Sequence, residues 1–120
     1  MFNNFLLVGL GGGIGSMLRY GAYRLMDTEK FPVATFTVNI IGSFVIGLII
    51  GMSLKNTAFD NNWKLFLATG ICGGFTTFSA FSLDNLNLLQ SGRYVTALVY
   101  TLASLILGLA AAFGGFKLMQ

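Results

Sequence analysis

Hydrophobic residues gather into four long stretches of the chain that contain no charged side chain. The stretches cover residues 1–18, 31–54, 65–83 and 94–116. A helix needs about 20 apolar residues to cross the hydrocarbon core of a bilayer, with a range of roughly 17 to 25. The pattern therefore predicts an all-α membrane protein with four transmembrane helices. Residues 1–120 would form a single four-helix transmembrane domain, with spans over about 3–26, 32–54, 64–88 and 94–117.

The composition supports a membrane protein. Hydrophobic residues make up 55% of the 120 residues and charged residues only 9%, whereas soluble domains carry roughly 25% charged residues. No charged residue precedes Arg19, so the first stretch lacks the basic start of a cleavable signal peptide. The net charge of +3 lies at span ends, where it concerns lipid headgroups and not nucleic acid. Without histidine and with Cys72 as its only cysteine, the chain offers no typical transition-metal site.

The third stretch differs from an ordinary lipid-facing helix. It reads LFLATGICGGFTTFSAFSL, with the pair Gly73-Gly74 followed by the hydroxyl residues Thr76, Thr77, Ser79 and Ser82. In hydrocarbon an interrupted helix is tolerated only where it faces protein or a water-filled path. We expect this helix to break at the glycine pair and to mark the functional centre.

Aromatic residues follow the same glycine pair. Phe75, Phe78 and Phe81 recur every three residues, which in a membrane helix usually indicates packing. Ring edges carry the positive part of the aromatic quadrupole, so edge-on rings could also tolerate a small anion. Backbone carbonyls freed at a broken helix could coordinate Na⁺.

Polar residues inside the other spans allow two interpretations each. Arg19 could reach the headgroups with its long stem or supply positive charge to an aqueous vestibule. Asn39 could bond to a neighbouring helix or donate its amide N–H to an anion. Tyr100 and Ser104, one helical turn apart, could bond back to their own helix or form a hydroxyl track along a pore.

The glycine-rich segment GLGGGIGSMLRY in the first span suggests helix packing. Its glycines do not keep the G-x-G-x-x-G spacing, and no βαβ pattern surrounds it. Gly11 and Gly15 instead form a small-xxx-small face for close contact with another helix, as do Gly47 and Gly51 in the second span.

The loop charges do not select an orientation. With four spans, Lys55, Lys64 and Lys117 lie on one side of the membrane, and the other side also holds three, namely Arg24, Lys30 and Arg93. The positive-inside rule then gives no bias. Either orientation is expected, which predicts an antiparallel homodimer akin to inverted repeats, unless an insertase fixes one orientation.

Taken together, these motifs resemble the Fluc/CrcB family of fluoride channels over nearly the whole chain. The matching segments are GGGIGSMLRY, VNIIGSF, GICGGFTTFSAF and the Tyr100…Ser104…Gly108 spacing. The third segment is the most specific. The chain departs from the family pattern at Ala80 and Gly108, where the family often has a further hydroxyl.

The resemblance implies a dual-topology dimer with two fluoride pores and a third helix that is broken. It implies a structural Na⁺ on the dimer axis, held by the backbone carbonyls of Gly73 and Thr76 from both protomers. It also assigns Arg19 to a vestibule. The pore residues implied are Phe78, Phe81, Asn39, Ser79, Tyr100 and Ser104.

The leading hypothesis is therefore a passive channel, and not an enzyme, that exports fluoride across the inner (plasma) membrane as a multi-pass protein. The alternative is a small dual-topology multidrug or cation exporter, which would need a carboxylate in the middle of the membrane. A third class, a non-conducting assembly subunit, would explain the glycine faces but not the hydroxyls and phenylalanines of the third span.

Overall fold

The computed structural model describes residues 2–26, 30–56 and 59–120. All regular structure in these residues is helical, which confirms the all-α prediction. The elements are α1 (Phe2–Leu25), α2 (Val33–Lys55), α3 (Asn61–Lys64), a π-helical segment (Leu65–Cys72), α4 (Gly73–Phe75), α5 (Phe78–Gln90) and α6 (Tyr94–Leu118). Residues 61–75 form one continuous helical rod, which we call the N-terminal half-helix of the third span. Helix α5 is its C-terminal half.

Three stretches in the described part are long and apolar enough to cross a membrane. They are Val33–Lys55, Asn61–Gln90 and Tyr94–Leu118. Helix α1 has a similar length of 24 residues, but its many glycines and Arg19 make it less apolar. The composition of the helices thus supports three spans, and the fourth predicted span stays a prediction.

Short polar residues define the helix ends around the third span. The Asp60 side chain accepts a hydrogen bond from the Trp63 N–H at 3.1 Å and caps α3. Thr77 caps α5 in the same way, accepting from the Ala80 N–H at 3.1 Å. Gly92 has a positive φ of 75°, which lets the chain turn sharply between α5 and α6.

Glycines bring the helices into backbone contact, as the sequence predicted. A Cβ atom at Gly11 would lie 2.5 Å from the Phe66 carbonyl oxygen, and one at Gly15 would overlap the carbonyl of Ile71. Gly47 meets α6 in the same manner. Helix α1 therefore packs along the N-terminal half-helix, and α2 packs along α6.

The third span is broken, but the predicted position of the break is wrong. Gly73 and Gly74 are helical, and the helix ends after Phe75. A Cβ atom at Gly74 would overlap the Gly12 carbonyl of α1, so this glycine permits close packing and does not end the helix. The predicted phenylalanine stripe is also interrupted, since Phe75 lies before the break and Phe78 after it.

Candidate functional site

The break in the third span consists of two threonines with extended backbone. Thr76 has φ −87° and ψ 156°, and Thr77 has φ −153° and ψ 122°. Extended residues between two helices leave carbonyl groups at one helix end and N–H groups at the other without helical partners. In a membrane such groups must find partners elsewhere.

Asn39 of α2 holds the break open with both ends of its carboxamide. Its Oδ1 accepts a hydrogen bond from the Thr77 N–H at 2.8 Å. Its Nδ2 donates to the Thr77 carbonyl at 3.2 Å. The predicted bond from Asn39 to a neighbouring helix is thus confirmed. It does not exclude that the same amide also donates an N–H to an anion. An amide nitrogen carries two N–H groups, and only one of them donates to Thr77.

Arg19 of α1 lies at the break itself. Its Nε donates a hydrogen bond to the Gly74 carbonyl at 3.1 Å, and the side chain is half-buried. This carbonyl belongs to the last turn of the N-terminal half-helix, where the helix dipole favours a cation. The side chain therefore places its positive charge beside the broken backbone.

Hydrogen bonds reach some carbonyls of this last turn and not others. The Cys72 carbonyl accepts from the Thr76 N–H at 3.0 Å and from the Thr76 hydroxyl at 2.9 Å. Within the described residues, no hydrogen bond is made to the carbonyl oxygens of Gly73 and Thr76. These two oxygens keep their full capacity to bind another donor or a cation.

A cavity of about 260 Å³ opens beside the break, between α2, α5 and α6. The structure brings four of the predicted pore residues to this cavity, namely Asn39, Phe78, Phe81 and Ser104. The remaining lining residues are Ser43, Thr76, Thr77, Leu105 and Gly108. The walls formed by the described residues thus combine hydroxyl, amide and aromatic groups, with no charged side chain among them.

Ser104 contributes the least satisfied group of this cavity. Its hydroxyl oxygen is buried and has no hydrogen-bond partner in the part of the chain that the structure describes. The hydroxyl therefore does not bond back to its own helix, as it would in the alternative interpretation. Leaving a hydroxyl buried and unpaired costs about 1 to 3 kcal/mol, which is recovered when a ligand accepts a hydrogen bond from it.

The two phenylalanines of α5 are held differently. Phe78 is 78% exposed, and its ring lies 5.8 Å from that of Phe81 at an angle of 38°. Phe81 is half-buried and packs on Tyr100, with ring centroids 5.0 Å apart. Phe81 is thus fixed by contacts within the chain, whereas Phe78 projects from its surface.

Tyr100 and Ser79 do not line the cavity. Tyr100 is fully buried behind Phe81, and its hydroxyl donates to the Asp84 carboxylate at 3.0 Å. Ser79 is exposed, and its hydroxyl lies 3.1 Å from that of Thr77. Gly73 lies in α4, upstream of the break. Having no side chain, it can contribute only its backbone carbonyl to the site.

Several residues at or near the site were not among those predicted to form the pore, and three of them make informative contacts. Thr77 provides the extended backbone and the cap of α5, Ser43 lines the cavity, and Asp84 binds Tyr100. Ser43 lies one helical turn from Asn39, a spacing that places both on one helix face. Nothing local to Asp84 indicates its partner, since Tyr100 lies 16 residues away.

Comparisons with known proteins find similarity over nearly the whole chain. Residues 6–116 match the family described as "CrcB-like protein, Camphor Resistance (CrcB)". A protein of Azobacteroides pseudotrichonymphae named "Fluoride-specific ion channel FluC" is 47% identical, over 100% of this chain and 98% of its own length. Proteins of the same name from Thermus thermophilus and Helicobacter pylori are 49% and 47% identical, over 95% and 97% of this chain and 93% and 92% of theirs. The family match and the apolar helices together show that the chain is a membrane protein of the CrcB family.

Proposed function

We propose that this chain is a passive, fluoride-selective channel that lets a cell lose fluoride down its electrochemical gradient. The observation that carries the proposal is the cavity at the helix break, which Asn39 and Ser104 line and beside which the Ser104 hydroxyl is buried without a partner in the described residues. Relatives 47% to 49% identical over nearly the full chain bear the name of a fluoride-specific channel. No covalent step is involved.

The electrostatics of the break favour a small anion. Helix α5 begins at Phe78, so the positive end of its dipole faces the cavity. The Thr77 N–H is taken by Asn39 and the Ala80 N–H by the Thr77 side chain. The first-turn N–H groups of Phe78 and Ser79 have no hydrogen-bond partner among the described residues, so they remain able to donate to an anion.

Side chains complete the replacement of the ion's water shell. Ser104 donates its hydroxyl, Asn39 its second amide N–H, and the edges of Phe78 and Phe81 present weakly positive C–H groups. Arg19 adds a fixed positive charge at the same break. A compact anion gains most from several close donors, which is the basis of the proposed selectivity.

The site is open on the side where Phe78 projects, and a second protomer would close it. An aromatic ring that is 78% exposed beside a polar cavity is suited to an antiparallel partner that contributes its own ring. The balance of three basic residues on each side of the membrane supports both orientations. The dimer would then contain two pores.

Helix α1 would be the fourth span, and the inner plasma membrane the location. It lies along the N-terminal half-helix with glycine contacts at Gly11 and Gly15, and an apolar row of Phe5, Leu6 and Leu10 is exposed to its surroundings. A helix packed this closely on a membrane span would lie in the membrane beside it. Four spans place both termini on the same side.

A Na⁺ between the two breaks fits the residues present. The Gly73 and Thr76 carbonyl oxygens accept no hydrogen bond in the described chain, while the neighbouring Cys72 and Gly74 carbonyls do. Carbonyl oxygens are suitable ligands for a hard cation. When bound, the ion would supply one further positive charge to the anion path.

The exporter alternative gains no support from the cavity. The described residues of its lining include no carboxylate, and Asp84 is held by the Tyr100 hydroxyl. An exporter of cations would need a free acid in this position.

Fluoride efflux from liposomes containing only this protein tests the proposal. Vesicles loaded with potassium fluoride are diluted into fluoride-free buffer with valinomycin, and a fluoride electrode records release. We expect rapid release of fluoride and little release of chloride from matched vesicles. Release no faster than from protein-free vesicles, or equal release of chloride, would overturn the proposal.

A further inference from the structure

A second cleft lies at the start of the third span, apart from the cavity at the break. Its polar part has a volume of about 540 Å³ and is lined by Asn4, Asn61, Asn62, Lys64, Leu65 and Thr69. An apolar part of about 230 Å³ is lined by Leu7, Asn62, Trp63 and Phe66. Asn62 belongs to both walls, so the two parts adjoin at this residue. We call the two parts together the interfacial cleft.

The polar part of the interfacial cleft carries hydrogen-bond donors without partners. Carboxamides, the Lys64 ammonium and a hydroxyl line it. Among the residues that the structure describes, none of these side chains makes a hydrogen bond or an ion pair. The nearby Asp60 carboxylate does not line the cleft and is engaged in capping α3. The cleft is therefore suited to an anion with several oxygens.

The position of the interfacial cleft matches the level of lipid headgroups. Lys64 is the last charged residue before the apolar run that begins at Leu65. Trp63 is 56% exposed and packs edge-on against Phe66, with ring centroids 6.3 Å apart. Tryptophan is enriched at the boundary between hydrocarbon and headgroups. Both parts thus lie where the third span begins, with polar groups and the exposed Trp63 ring side by side.

We propose that the interfacial cleft binds an anionic phospholipid. The phosphodiester accepts hydrogen bonds from Lys64 and the asparagine amides, while an acyl chain lies against Trp63 and Phe66. Charge complementarity supports this occupant, because Lys64 is the only charged residue among the described residues of the lining. The apolar part gives a lipid an advantage over free phosphate. The proposal concerns a surface separate from the ion path and does not rest on the proposed function.

Native mass spectrometry of the purified protein in detergent tests the lipid site. The protein is titrated with phosphatidylglycerol and, separately, with phosphatidylcholine. We expect tighter binding of phosphatidylglycerol, and the variant Lys64→Gln to weaken it about fivefold, the effect of one basic residue near an anionic lipid. Lys64→Arg keeps the charge and should retain binding close to that of the wild type.

Lys117→Gln is the matched control, since Lys117 is an exposed lysine at the end of α6. Its removal changes the net charge equally but leaves the interfacial cleft intact, so phosphatidylglycerol binding should not change. Equal losses for both variants would indicate unspecific attraction and overturn the proposal. The same holds if the wild type shows no preference for phosphatidylglycerol, or if inorganic phosphate at millimolar concentration displaces the lipid. Unchanged elution on size exclusion verifies that each variant is folded.

Discussion

The two halves of the third span contact their neighbouring helices in different ways. The N-terminal half-helix contacts α1 through backbone, with glycines on both sides, and much of it is a wide π-helix. Helix α5 contacts its neighbours through side chains instead. Its Phe81 packs on Tyr100, and its Asp84 and Asn85 accept hydrogen bonds from Tyr100 and Thr101 of α6.

The N-terminal half-helix supports the fold, whereas α5 borders the cavity where the ion would bind. Backbone contacts leave no space for adjustment, so the N-terminal half-helix fixes the position of the break against α1. Side-chain contacts leave gaps, and the cavity lies where α5 meets α2 and α6. Substitutions in the first half should therefore change folding, and those around the second half should change ion flux with smaller effects on stability.

Gly15→Ala is expected to have the largest effect, on folding itself. The added methyl group would overlap the Ile71 carbonyl of the π-helical segment, and neither backbone can move without disturbing the other. We expect a loss of about 3 kcal/mol, measured as a lower unfolding midpoint in detergent. Gly9→Ala is the control, because a Cβ at Gly9 meets no atom within 4 Å. Equal midpoints for the two variants would refute the tight packing of this half.

Asn39→Ala should destabilise the break that joins the two halves of the third span. It removes both hydrogen bonds to the Thr77 backbone and leaves two polar groups unpaired, at about 1 to 3 kcal/mol each. We expect fluoride flux per protein to fall roughly 100-fold, since two such groups alter a barrier by about 3 kcal/mol. Asn87→Ala, an exposed position on α5, should conduct normally. Normal flux through Asn39→Ala would mean that the break does not need this clamp.

Ser104→Ala separates ion flux from stability most clearly. Its buried hydroxyl has no partner in the described residues, so removing it should leave the unfolding midpoint unchanged or slightly higher. Loss of a donor to the ion should reduce fluoride flux by about tenfold. Ser53→Ala is the control, since that hydroxyl donates to Ile50 within α2. A variant with full flux would exclude Ser104 from the ion path.

Tyr100→Phe should have the smallest effect. It keeps the ring that supports Phe81 but removes the hydrogen bond to Asp84, at a cost of about 1 kcal/mol in unfolding free energy. We expect fluoride flux to fall by only about threefold. Tyr94→Phe, at an exposed site, serves as the control. A loss as large as that of Ser104→Ala would indicate that the Tyr100 hydroxyl itself reaches the ion.

Patterns that extend over whole helices predicted the all-helical fold and the existence of a break in the third span. Charge-free stretches indicate helices, and spaced glycines indicate close packing. The exact break could not be predicted, because Gly74 could equally end a helix or pack against another one. Its contact with Gly12 decides this, and that contact lies 62 residues away along the chain.

Residue chemistry alone limits the options at two of the predicted pore residues. Asn39 and Ser104 are polar groups that must find partners in hydrocarbon, so their need for partners was visible. Their partners were not, since the bonds of Asn39 to Thr77 and of Arg19 to Gly74 join different helices. A spacing of one helical turn does not guarantee that two residues reach the same cavity. Tyr100 is one turn from Ser104, yet its hydroxyl binds Asp84 and does not line the cavity.

The Asn39 clamp has a consequence for the order of membrane insertion. Thr76 and Thr77 adopt ordinary extended torsions that need no glycine. The local cap by the Thr77 side chain leaves the N–H and the carbonyl of Thr77 to be satisfied by Asn39. Before α2 docks, the third span in lipid satisfies its backbone best as a continuous helix. The break then forms during assembly, when the carboxamide of another span replaces helical hydrogen bonds. Biogenesis of this protein would therefore include a late step in which an inserted helix is opened by its neighbour.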